Sequence, residues 1–222
     1  MPSYSGVFNL QTQMQAIAAG NWTGLPRAIG SAYEGGFYAG QISTAGNGVA
    51  DYNLVIGPKS SAQNASIQWK TSATGGDPTS VIDGPANSST MNNATYPAAQ
   101  FCEGLTIGGF SDWYMPAQNE LDVCYVNLKP TTQVNNTSTS GPNLNAVPAR
   151  ASNYTSGNPA QTSASLFQTG NSEAFNAAAY WSSTQTNGNP GYGNYRLFDN
   201  GSPYPLPKNF NRFVRAIRRV AV

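Results

Sequence analysis

Gly108-Gly109-Phe110-Ser111-Asp112-Trp113-Tyr114-Met115-Pro116-Ala117-Gln118-Asn119-Glu120-Leu121 is the stretch that organises this 222-residue chain. The paired glycines end one element and open a turn. Asp112 before Trp113 has the chemistry of a turn cap. Met115-Pro116 then starts a helix expected over 116–128, because proline suits a first turn and Pro130 blocks any extension beyond it. Leu121, Tyr125 and Leu128 fall at helical spacing and form an apolar stripe, with Cys124 beside them. Glu120 falls in the first turns, where the helix dipole favours a carboxylate. Just upstream, a second helix is expected over 97–105, with Pro97 near its start and Ala98, Phe101, Cys102 and Leu105 on one face.

Outward from this centre the pattern changes to strands. Residues 35–42 and 52–56 alternate around Asn47-Gly48, which is a hairpin signal. A short strand is expected at 67–70. Three more are expected in 178–222: one at 180–184, one at 195–198 turning at Asp199-Asn200-Gly201, and a last one over 212–220. Residues 71–95 and 131–175 are rich in Ser, Thr, Asn, Gly and Pro and read as loops; long loops of this kind tend to carry function. At the N-terminus, Leu10, Met14 and Ile17 make an apolar stripe on a short helix whose other face is glutamine. Residues 1–30 are therefore set apart as an arm, and 31–222 as the main domain.

Composition excludes several functions. Charged residues are 9%, net charge is +1 and histidine is absent. No histidine means no His general base, no Ser-His-Asp unit and no His metal ligand. A near-neutral chain makes too few phosphate contacts for general nucleic-acid binding. No apolar run is long enough to span a membrane. No basic region followed by an apolar one opens the chain, so no secretory signal is expected. Cys102 and Cys124 read as buried small hydrophobes, with a single disulfide as the alternative. Glu120 and Asp122, two apart on a helix, point in different directions and make no glycosidase pair. The expectation is a protein that is not an enzyme and holds no cofactor or metal.

Four blocks in order resemble a known family. The 108–121 block is followed by Tyr180-Trp181-Ser182-Ser183-Thr184, then Leu197-Phe198-Asp199-Asn200-Gly201, then Phe213-Val214-Arg215-Ala216-Ile217-Arg218-Arg219-Val220. This order is similar to the DUF1566, or Lcl C-terminal-like, domain. The resemblance implies an α+β, C-type-lectin-like fold with two helices, a small antiparallel sheet, long central loops and neighbouring terminal strands. Asp112, Trp113, Pro116, Glu120, Leu121, Tyr180, Trp181, Ser182, Ser183, Arg215 and Arg218 carry the motif. From the residues alone, the large aromatics are expected in the core, and Arg215 and Arg218 are expected to pair with Asp112 or Glu120. The calcium-binding carboxylate motifs of C-type lectins are missing, so any sugar binding is expected to be calcium-free. The cysteines do not match those of the sulfatase-modifying enzymes that share the fold.

The segment Ser5-Gly6-Val7-Phe8-Asn9-Leu10, with Gln13-Met14-Gln15-Ala16-Ile17 and Asn21-Trp22, looks like the opening of tailed-phage virion proteins. The resemblance implies attachment to the particle through Val7, Phe8, Leu10, Met14, Ile17 and Trp22. The expected role is a bacteriophage virion structural protein, assembled in the host cytoplasm. Its outer domain would act as a tail-fibre or adhesin-type binder of a host glycan or protein. A purely structural capsid decoration or head fibre is one alternative, and a bacterial surface binding protein is another. Partners are other virion proteins, a host receptor and further copies of the chain, with no nucleic acid and no membrane. Tyr154, Tyr192, Tyr195 and Tyr204 are the candidate ligand-binding aromatics.

Overall fold

The computed structural model describes residues 27–222. The expected N-terminal helix, and with it the proposed attachment residues, lies outside these residues. The fold is α+β. One sheet runs in the order β1 (Ala32–Tyr33), β2 (Gly36–Ile42), β3 (Tyr52–Ile56) and β10 (Ile217–Ala221), with β5 (Ala146–Val147) also paired to β2. The other runs β4 (Gln63–Gln68), β9 (Asn211–Arg215), β6 (Ala179–Gln185), β7 (Tyr192–Leu197) and β8 (Pro203–Pro207). All pairings are antiparallel except β6 with β9. The first and last described strands thus share a sheet, as the resemblance implied, but the single small sheet it also implied is two sheets of five strands each.

The helices are α1 (Lys59–Ala62), α2 (Gly84–Thr90), α3 (Pro97–Glu103) and α4 (Gln118–Leu128). α3 and α4 are the two expected from sequence, trimmed at their ends. Pro116 and Ala117 stay outside α4; Ala117 is extended at the cap, and Glu120 reaches back to accept from its backbone N–H at 2.8 Å. The other two helices are additions to the sequence expectation. α2 interrupts the anticipated 71–95 loop: Asp83 caps it by accepting from Ala86 N–H at 3.2 Å, and Pro85 lies in its first turn. α1 is a single turn that leads directly into β4.

The expected final strand over 212–220 is two strands in two sheets. Ala216 is the crossing point. Its N–H donates to Ala62 O at 2.9 Å and its carbonyl accepts from Gly57 N–H at 3.0 Å. The preceding strand pairs with β4 and the following one with β3. Residues 131–175 remain largely irregular, with only β5 and a 3-10 turn at Ser165–Phe167.

Two apolar clusters fill the interior. One joins β2, β3 and α4 to the aromatics Tyr125, Phe175, Tyr180 and Phe198. Phe175 stacks on Phe198 at 4.0 Å, and Tyr180 tilts against Phe198 at 4.8 Å. The other gathers Trp69, Trp113, Trp181, Met91, Met115 and Val214, with Cys102 among them. Trp113, Tyr180 and Trp181 are thus core residues, as expected. Their polar tips are satisfied where needed: Trp113 Nε1 donates to Phe110 O and Trp181 Nε1 to Ile67 O. Both cysteines are buried and free, so the disulfide alternative falls.

Candidate functional site

The motif residues form ion pairs that close the domain. Arg218 makes a two-pronged pair with Asp112 at 2.6 and 2.9 Å and lies 3.8 Å from the centre of the Phe110 ring. That is one of the expected pairings. Arg215 corrects the other: it turns away from Asp112 and Glu120 and donates to Gly57 O, Glu173 O and Glu173 Oε2, the last at 2.7 Å. Arg219 takes Glu120 instead, at 2.7 Å. The reason is the change of sheet at Ala216. Arg215 precedes the crossing at Ala216 and faces the first cluster beneath α1, whereas Arg219 follows it and faces α4. Ser182 and Ser183 are buried; Ser183 N–H donates to Pro116 O at 2.7 Å, which docks β6 on the start of α4. Leu121 is in the first cluster.

Two further buried carboxylates, absent from the motif, hold the long loops. Asp122 accepts from Arg150 Nη2 at 2.9 Å, Asn143 Nδ2 at 2.7 Å and the Tyr154 hydroxyl, and pairs with Arg196 at 3.0 Å. Nearby, Asn135 accepts from Lys129 Nζ and the Tyr125 hydroxyl, each at 2.7 Å, and donates to Pro159 O. These bonds staple 131–159 to α4. Asp77 accepts from Lys70 Nζ at 2.9 Å, from the Tyr96 hydroxyl at 2.6 Å and from Lys208 Nζ. Lys208 also donates to Gln185 Oε1 and Pro190 O, each at 2.7 Å, and to Thr74 O. That knot joins the loop before α2 to the β6–β7 loop and the end of β8. Burial alone would raise both aspartates. The facing arginines and Tyr154 at Asp122, and the lysines and Tyr96 at Asp77, outweigh it and hold both carboxyls below their ordinary range.

The four candidate tyrosines divide. Tyr154 is a correction: it is buried, lies 5.4 Å from Tyr125 and gives its hydroxyl to Asp122, so its ring offers no face to a ligand. Tyr195 and Tyr204 are register partners on β7 and β8, with ring centres 6.1 Å apart. Tyr195 is half-buried against Trp181, and the Arg212 guanidinium lies 5.9 Å from its ring. Tyr204 is 45% exposed and Phe210, after β8, is 50% exposed. Tyr192 is half-buried at the start of β7. The structure thus brings Tyr195 and Tyr204 together on an aromatic strip at the β7–β8 edge.

The outer side of β8 has its own chemistry. Pro203, Pro205 and Pro207 pair with Arg196, Asn194 and Tyr192. Lys208 N–H to Gly191 O and Leu197 N–H to Ser202 O set the hydrogen-bond phase. In that phase Tyr204 and Leu206 turn their backbone groups to β7, and the prolines turn theirs outward. From 203 to 207 the free edge carries carbonyls and no N–H donor.

A family model described as the Lcl C-terminal domain matches residues 61–218. The chain belongs to that family. No curated protein matches it. The match begins after β3 and ends within β10, so the β3–β10 pairing ties the hairpin before the matched region to the strand at its end. Among the described residues, no group of three His, Cys, Asp or Glu side chains is placed to hold a metal ion, and no helix is long and apolar enough to cross a membrane.

Proposed function

We propose that this chain is a tailed-phage virion structural protein whose Lcl C-terminal domain faces outward and binds the host surface. The observation that carries the reading is the locking of the long loops. Buried charges are costly to assemble, and here Asp77 and Asp122 each sit among several partners drawn mainly from irregular segments, Arg196 on β7 being the exception. Loops held this way keep one relief, so a partner does not bear the cost of ordering them. The aromatic strip of Tyr195 and Tyr204 stands open beside that relief, and tyrosine supplies contact area at low entropic cost. The resemblance of residues 1–22 to virion attachment segments supplies the particle.

The test has two arms. Gold-labelled antibody against residues 31–222 is applied to intact virions; label at the tail tip or fibres supports host binding, label over the capsid supports a decoration or head-fibre role, and no label on particles overturns the virion reading in favour of a bacterial surface protein. Tyr204→Ala and Tyr195→Ala proteins, each checked for an unchanged unfolding transition, are then compared with the parent for binding to host cells. Undiminished binding by both would remove the tyrosine strip as the contact.

A further inference from the structure

A cleft of about 460 Å³ opens on the other sheet, where β3, β10 and the segment entering α2 meet; Thr44, Tyr52, Ile82, Asp83, Pro85 and Arg219 line it. Its volume lies in the usual range for small-molecule sites, ~300–1,000 Å³. Arg219 is held by the fold: Nε donates to Glu120 Oε1 at 2.7 Å and Nη2 donates to Ile82 O. Glu120 is in turn fully buried and bonded to the Tyr114 hydroxyl and Ala117 N–H, so the guanidinium cannot turn. Tyr52 lies beneath it, with the ring centre 5.0 Å from the guanidinium carbon.

What remains unused is specific. Among the described residues, Arg219 Nη1 and the Tyr52 hydroxyl have no hydrogen-bond partner in the protein, and Asp83 engages only Oδ1 in capping α2. The cleft therefore presents an aromatic ring, two apolar side chains, two unused donors and one unused carboxylate oxygen. Adjacent hydroxyls on a sugar ring suit such a donor–acceptor set, and the C–H face of the ring suits Tyr52, Ile82 and Pro85. Charge narrows the class further. Glu120 balances Arg219, and Asp83 and Asp51 add negative charge at the rim, where Asp51 accepts from the Thr44 hydroxyl at 2.5 Å. An anionic ligand would meet repulsion there.

We infer that this cleft is a binding site for a neutral pyranose, the terminal sugar of a glycan without acidic groups. Only the source of the sugar, a host surface, rests on the adhesin reading; the cleft stands without it. The full chain is titrated with methyl pyranosides of neutral hexoses, with a neutral oligosaccharide, and with a uronic acid and a sialic acid for comparison. Binding is read by calorimetry and by amide shifts at residues 44, 52 and 82–84. Asp83→Asn keeps a good helix cap but loses the charge and acceptor; Tyr52→Leu keeps apolar bulk and loses the ring. Both are checked for an unchanged unfolding transition, and Pro85→Trp, which fills the cleft from its rim, serves if either is unstable.

The expected result is saturable binding of a neutral sugar, with Asp83→Asn weaker by about tenfold, as for loss of one charge-assisted hydrogen bond, and with Tyr52→Leu and Pro85→Trp inactive. No saturation by any neutral sugar, tighter binding of the acidic sugars, or equal binding by the variants would overturn the proposal. Host-cell binding separates the two ideas: if the variants lose the sugar yet bind cells as the parent does, the cleft stands and the host surface is removed as the source of its sugar, while sugar binding without cell binding by the parent leaves the cleft and overturns the adhesin.

Discussion

Arg215 is the residue whose role differs most from its reading in sequence. It is fully buried, its carboxylate partner Glu173 comes from the long loop, and burial pushes its guanidinium down to about 10, which leaves it charged at neutral pH. Removing one member of a buried pair strands the other, at about 3–5 kcal/mol, whereas replacing both by apolar groups of similar size is far milder. Arg215→Ala should therefore lower stability by about that much in denaturant unfolding, and Arg215→Met with Glu173→Met should lose less than Arg215→Met alone. Asp122 predicts a pH dependence. Its carboxyl is held low in the fold, where Arg150, Arg196, Tyr154 and Asn143 face it, so the unfolded chain takes up a proton first as pH falls. The stabilisation is complete at neutral pH and is lost below the unfolded value of about 3.9 as pH drops toward the depressed folded value. Asp77 behaves in the same way. Glu120 has the opposite sign: burial raises its carboxyl, so its charged form opposes folding at neutral pH and protonation relieves it. Urea midpoints between neutral pH and the acid limit should fall, and fall less steeply in Asp122→Asn; an equal slope would remove Asp122 as a cause.

Elements show where local signals suffice and where they do not. The helix α4 is legible because Pro116, Glu120 and the Leu121-Tyr125-Leu128 stripe all agree. α2 has its own signal in Asp83 and Pro85, but it reads as loop because the surrounding residues are small and polar. Its fit against α4 has no slack: a Cβ on Gly84 would meet the Glu120 carboxylate and would come 2.5 Å from the Tyr114 ring. Gly84→Ala should cost about 1–3 kcal/mol, read as a fall in Tm of several degrees. The turn after β7 is constrained differently. Gly201 sits at φ +76° against the rings of Tyr125 and Tyr154, which explains the glycine of that motif block. β8 makes an element-scale prediction of its own. Its proline edge withholds N–H donors from any strand that approaches. Pro205→Val restores one donor and should raise self-association with concentration in light scattering; unchanged mass would show that the prolines do not guard the edge.

At the scale of the whole molecule, the two sheets are joined through Ala216 and by the loops that cross between clusters. Cys102 and Cys124 lie in different apolar clusters, and burial pushes both thiols up. A thiol reagent should label neither in the native protein and both after denaturation, and labelling of either in the native state would mean that its cluster opens. The sequence by itself determined the α+β class, a helix ending at Leu128, the β2–β3 hairpin and the burial of Trp113 and Trp181, because each rests on residues close in sequence or on motif blocks in a set order; it left open which of Asp112 and Glu120 each arginine takes. The tertiary structure alone decided that Tyr154 is a buried strut, that Arg215 belongs to Glu173, that Asp77 and Asp122 fasten the loops, and that Tyr52, Asp83 and Arg219 share a cleft. Those relations join residues as far apart as Tyr52 and Arg219, and only the pairing of β3 with β10 brings them together. No spacing along the chain encodes a contact whose register is set by another strand.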